Sequence, residues 1–196
     1  MYYWVMRQIL LSCLLITCCL GCPRPASLPA QPQLVSDDLG IGLYLLMDRN
    51  EAQALSGKQD NMEIKVLSTD NKQQIKGYDI SSTSDEVVAL YFDAVPGVDD
   101  DETLSGRISE IRCFLNTGSA SGLRLLGRPV ADLGADDMEQ MLGKPRDRSQ
   151  PGDGQIHLTY LFDPQVPGAN LQLRLVTSHH LDHSCYAFAM SLINRD

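Results

Sequence analysis

Asp136-Asp-Met-Glu139-Gln-Met-Leu142-Gly143-Lys144-Pro145, followed by Gln155-Ile-His-Leu-Thr-Tyr-Leu-Phe-Asp163, is the stretch from which the rest of the chain is read. Asp136 with Glu139 three residues on is a capping-box-like start, because the two side chains satisfy N–H groups that a helix leaves unpaired in its first turn. Leu142-Gly143 supplies a residue free to take the left-handed conformation that ends helices, and Pro145 forbids continuation. The spacing therefore predicts a helix of about two turns. Beyond it, Ile156, Leu158, Tyr160 and Phe162 alternate with His157, Thr159 and Leu161, the period of a strand with one buried face. Asn170–Thr177 and Cys185–Ile193 read as further strands, with Tyr186, Phe188, Met190 and Leu192 alternating along the second.

The same pattern recurs upstream. Asp48-Arg-Asn-Glu51-Ala-Gln-Ala-Leu55-Ser-Gly57-Lys58 repeats the Asp, Glu, Leu, Gly, Lys order, and Tyr91-Phe92-Asp93-Ala94-Val95-Pro96-Gly97 parallels Leu161-Phe162-Asp163-Pro164-Gln165-Val166-Pro167-Gly168. Glu86–Asp93 and Arg107–Leu115 are strands on this reading, and Glu63–Ser68 and Gln73–Tyr78 are strand candidates of the first copy only. The expectation is an α+β protein, a tandem repeat of a short helix or helices packed on a three- to four-stranded antiparallel sheet. The first copy occupies residues 38–116 and the second residues 123–196, with a flexible Gly/Ser joint at 117–122.

The composition narrows the function classes. A net charge of −9 offers no excess of cations to displace counterions from a phosphate backbone, which argues against nucleic acid as a partner. With 43% hydrophobic residues the chain has material for a packed core and is not an acidic disordered tail.

The N-terminus carries an address. Ile9–Leu20 is too short for a membrane span, which needs ~20 apolar residues, but has the length of a signal-peptide core. Arg7 precedes it, and Met6 competes with Met1 as the start. Leu20-Gly21-Cys22 resembles the end of a bacterial lipobox, in which the cysteine thiol takes diacylglycerol and becomes the mature N-terminus. That resemblance implies a signal at 1–21, acyl chains on Cys22 and, with Pro23 rather than Asp next, the periplasmic side of an outer membrane. Pro23, Pro25, Pro29 and Pro32 make residues 22–37 an extended tether. A plain secretory signal cut near Ala26 or Ala30 is the alternative.

The Asp-x-x-Glu…Leu142-Gly143-Lys144-Pro145 spacing with three strands after it resembles the SmpA/OmlA family, small lipoproteins of the outer-membrane barrel-assembly machinery. The likeness covers Val130–Ile193 well and Leu43–Leu115 loosely. It implies a lipid-anchored, non-enzymatic, protein-binding domain.

Other chemistry-bearing residues are few. Cys113 and Cys185 remain once the signal is removed and Cys22 is acylated, and an oxidising compartment permits them to pair. Two separately buried thiols are the alternative. His179-His180-Leu181-Asp182-His183 is the densest cluster of ligand types. His180, Asp182 and His183 are weak metal candidates, because neighbours on one turn rarely converge on an ion, and a polar hairpin turn is the other reading. Asp99-Asp100-Asp101-Glu102 lacks the spacing of a calcium loop. Gly118-Ser119-Ala120-Ser121-Gly122 has alanine where a nucleophile elbow carries its hydroxyl. No cofactor and no catalytic residues are expected. The function expected is an envelope scaffold or assembly factor that binds proteins, with an inhibitor or immunity-type protein against a secreted hydrolase or toxin as the alternative.

Overall fold

The computed structural model describes residue 34 and residues 38–59, 62–66, 86–92, 106–115, 122–151, 154–163, 170–181 and 184–195. All of them belong to one compact unit, Pro32–Asp196. The lipobox with Cys22, the acidic run 99–102, residues 117–121 of the joint, and Asp182 and His183 lie outside the described residues, as does Gln73–Tyr78.

The two helices form where their caps require. Helix α1 (Arg49–Leu55) starts at Asp48, whose carboxylate accepts from the Asn50 N–H at 2.8 Å. Helix α2 (Ala135–Leu142) starts two residues earlier than the Asp136 signal suggests. Gly134 is its N-cap, and Asp137 reaches back to accept from the Gly134 N–H at 3.2 Å. Gly143 closes α2 at φ +85°, donating its N–H to the Glu139 carbonyl.

Everything else of size is strand. In chain order these are β1 (Gly57–Gln59), β2 (Met62–Val66), β3 (Glu86–Tyr91), β4 (Glu110–Leu115), β5 (Arg124–Leu125), β6 (Arg128–Pro129), β7 (Asp147–Ser149), β8 (Ile156–Phe162), β9 (Leu171–His179) and β10 (Cys185–Asn194). Strands β5 and β6 make a small hairpin, and the other eight form one sheet in the order β1-β2-β3-β4-β10-β9-β8-β7. All pairs in that sheet are antiparallel except β2 with β3, which are parallel.

This corrects the expected fold class. The described chain is predominantly β, one mixed eight-stranded sheet with two short helices, and not two separate α+β units each packing helices on its own antiparallel sheet. The physical reason lies in pairing. Strands β4 and β10, the last of each half, align edge to edge with Phe188 opposite Cys113 and Met190 opposite Ile111, so neither half keeps a free inner edge. Nor do the strands that share a sequence pattern occupy equivalent places. β3 lies next to β4, one strand from the seam, whereas β8 lies two strands from it beyond β9. The shared motifs are caps and turns, which specify local geometry and not partners.

The core lies on one face of the sheet. Ile64, Val88, Leu90, Ile111, Phe188, Met190, Leu175 and Leu158 meet Leu43, Leu45, Met47, Ala52, Val130, Leu133, Met138 and Leu142 in a single cluster. Along β8 the burial alternates at every residue, as the period-two pattern requires. Leu34 is also in this cluster, 1% exposed, so a residue of the Pro-rich stretch joins the core.

Candidate functional site

The register of the sheet builds its second face residue by residue. Glu63, Val87, Phe114, Ala187, Ser178, His157 and Ser149 stand opposite one another in a row that crosses seven strands. Lys65, Ala89, Arg112, Ala189, Val176, Thr159 and Asp147 make the next row. Tyr91, Glu110, Ser191, Arg174 and Leu161 make a third. None of these residues belongs to the hydrophobic cluster, whose members from α1, α2 and the Leu39–Met47 segment all pack against the opposite face.

The second face is held by interactions within the sheet. Arg112 pairs with Glu110 and sets its guanidinium over the Tyr91 ring, 4.8 Å from the centroid. Lys65 pairs with Glu63 at 3.5 Å. Ala89 is fully covered, whereas Arg174 is exposed. Alternating small, apolar and charged side chains of this kind suit recognition by another protein surface better than they suit a small molecule, which needs a concave pocket.

A polar cluster occupies one end of that face. His157 Nδ1 and Ser178 Oγ share a hydrogen bond of 2.9 Å across β8 and β9. Tyr186 donates its hydroxyl to Gln155 Oε1, and the His180 ring rests 4.5 Å from the Tyr186 ring. Leu181 at the adjoining turn is 61% exposed. It also lies against Gly154, where a Cβ would come within 2.7 Å of the leucine Cδ1.

The sequence candidates separate accordingly. His180 contacts an aromatic ring, and His179 points into the core, fully buried, with Nε2 2.9 Å from Thr177 Oγ1. Among the described residues no group of three or more His, Cys, Asp or Glu is arranged to hold a metal ion. Asp182 and His183 are not among the residues that statement covers. Cys113 and Cys185 are free thiols, both buried, on the neighbouring strands β4 and β10. Burial, with the Glu86 carboxylate nearby, pushes the Cys113 thiol well above its ordinary range, and burial pushes Cys185 up to about 12. A thiol so reluctant to ionise is a poor nucleophile and a poor metal ligand. His157 and Ser178 gave no motif in the sequence, because their contact depends on the pairing of β8 with β9 and not on spacing along the chain.

No known protein family, curated protein or solved structure matches the chain. Among the described residues no helix is long and apolar enough to cross a membrane.

Proposed function

We propose that the protein is a lipid-anchored, periplasm-facing lipoprotein that binds other envelope proteins as a non-enzymatic scaffold or assembly factor. The observation that carries the reading is the second face of the sheet. It spreads over seven strands, mixes Val87, Phe114, Val176 and Leu161 with Lys65, Arg112, Arg174, Glu63 and Glu110, and lies opposite the side on which the described helices pack. Leu20-Gly21-Cys22 supports the anchor. Acyl chains contribute ~0.8 kcal/mol per buried methylene, so more than one chain holds a protein stably on a membrane.

In-cell crosslinking, detergent extraction and mass spectrometry, with wild type and Cys22→Ala in parallel, test the reading. Outer-membrane proteins captured by wild type and lost with Cys22→Ala are the expected result. Capture of one soluble secreted protein equally by both forms would replace the scaffold with an inhibitor.

A further inference from the structure

Three features stand outside the reading above: the thiol pair Cys113 and Cys185, the His157–Ser178 contact, and the connection between the parallel strands β2 and β3. The thiols are buried and held protonated, so no chemistry reaches them. The His157–Ser178 pair lies within the β8–β9 ladder, where strand N–H groups are committed to pairing and not aimed at a developing oxyanion. The connection carries the argument furthest.

We infer that residues 67–85, which join β2 to β3, cross the second face of the sheet and occupy its β2–β3–β4 part. The inference rests on strand pairing and burial. It narrows the protein-binding reading, because it leaves a partner the β9–β8 end of the face, where Arg174 is exposed.

Topology is the first reason. β2 and β3 are neighbours and parallel, so the chain that leaves β2 at one end of the sheet must return to β3 at the other. A connection of that kind runs over a face of the sheet, and residues 67–85 exceed the about twelve that it needs.

Handedness is the second reason. Leu192, whose side chain packs on the core side, donates its N–H across the seam to the Ser109 carbonyl at 3.0 Å, so its backbone groups point to β4. In a strand of L-residues running upward, a residue whose side chain faces the viewer aims its N–H and C=O to the right. Seen from the core side with β10 upward, β4 is therefore on the right. From the second face it is on the left. β3 and β2 follow further left and also run upward, since two antiparallel steps lead from β10 to β3 and β2 is parallel to β3. The step from β2 to β3 is then to the right, and a right-handed crossover making it passes in front, over the second face. Such crossovers are right-handed almost without exception.

Coverage is the third reason. Ala89, Ser191 and the Tyr91 hydroxyl are buried on this face, although α1, α2 and the Leu39–Met47 segment all pack on the other. Glu63, Lys65, Tyr91, Arg112 and Phe114, on β2, β3 and β4, have interactions beyond the pairs described above, whereas Thr159, Leu161, Arg174 and Val176, on β8 and β9, do not. Residues 67–85 include Ile75, Tyr78 and Ile80, the apolar material that such a cover requires.

Photo-crosslinking of the full chain in detergent, read by mass spectrometry of digested peptides, tests this. Phe114→p-benzoylphenylalanine and, independently, Tyr91→p-benzoylphenylalanine should each link to a peptide of residues 67–85 in the same molecule. The link should be lost when the probe replaces Thr159, four strands from β3. Two probe sites guard against one variant melting early. Links from both sites to another part of the chain or to a second copy overturn the inference, as does the absence of a link from either, or an equal link from Thr159. The link to 67–85, in a protein that captures no envelope proteins with Cys22 intact, would refute the protein-binding reading and leave the crossover standing.

Discussion

At the residue scale, burial without a partner and burial of thiols have measurable consequences. The Tyr160 hydroxyl is buried and has no hydrogen-bond partner among the described residues, while its ring stacks on Phe162 with centroids 6.0 Å apart. Burial, with the Glu139 carboxylate nearby, raises its pKa above the ordinary phenol range. An unmet buried hydroxyl costs ~1–3 kcal/mol, so Tyr160→Phe keeps the packing, removes that cost, and leaves stability unchanged or raises it by about 1 kcal/mol in a urea melt. A loss of stability would reveal a partner for the hydroxyl.

Cys113 and Cys185 make a second residue-scale case. Cys113 stands opposite Phe188, and the β4–β10 register ends at Ala187 opposite Phe114, short of Cys185. The two are therefore not cross-strand partners, and both are free thiols. Peptide mapping after native alkylation should find both thiols reduced and unmodified. With Cys185 at about 12, its thiolate at pH 8 is on the order of a thousandfold scarcer than that of an ordinary cysteine, and its alkylation is slowed in proportion. A bonded pair recovered from cells would contradict the free thiols of this structure.

At the element scale the ends of α2 decide its stability. Gly143 has a φ of +85°, and a Cβ built there meets nothing within 4 Å. With ψ at −168° this conformation is essentially confined to glycine, so the cost of Gly143→Ala is backbone strain alone, and a loss of ~1–3 kcal/mol is expected by thermal denaturation.

At the other end the Gly134 N–H, and then Arg128, hold the Asp137 carboxyl below the ordinary carboxylate range. A depressed folded pKa contributes stability that is fully present above the unfolded value of ~3.9 and is lost as pH falls through the folded value. Asp137→Asn should lower stability at neutral pH and flatten this acid limb, which melts between neutrality and strong acid would show. An unchanged limb would mean that the cap does not form in solution. Both helix ends were legible in outline, since caps act over three or four residues. The shift of the cap from Asp136 to Gly134 was not, because Gly134 has no side chain to announce it.

At the scale of the whole molecule the β4–β10 seam makes one folding unit of what the repeat suggested were two. Phe188, Met190, Cys113 and Ile111 share the core with residues of both halves, so neither half can lose its strands without exposing the other. Chemical denaturation followed by circular dichroism should give a single transition. Two separated transitions would mean that the halves fold independently and the seam is weak.

The candidate site follows the same division. Which residues of a strand share a face was readable from alternation along β8, as Ile156, Leu158, Tyr160 and Phe162 illustrate, but not along β10, where a bulge between Cys185 and Ala187 puts Cys185 in the core with Phe188 and Met190 and leaves Tyr186 out of it. Which strands bring His157 to Ser178, or Arg112 between Ala89 and Ala189, was not.

Alone, the sequence determined local order: two capped helices, the strands from Glu86 to Cys185, most of their buried faces and an acidic balance. Each depends on contacts within a few residues, so spacing suffices to encode it. Tertiary structure alone decided the single eight-stranded sheet, the parallel β2–β3 pair, the seam between β4 and β10, the burial of Leu34 and the composition of the second face. Strand pairing joins residues far apart in the chain through backbone groups that every residue carries. No motif distinguishes one such partner from another until the whole core is assembled.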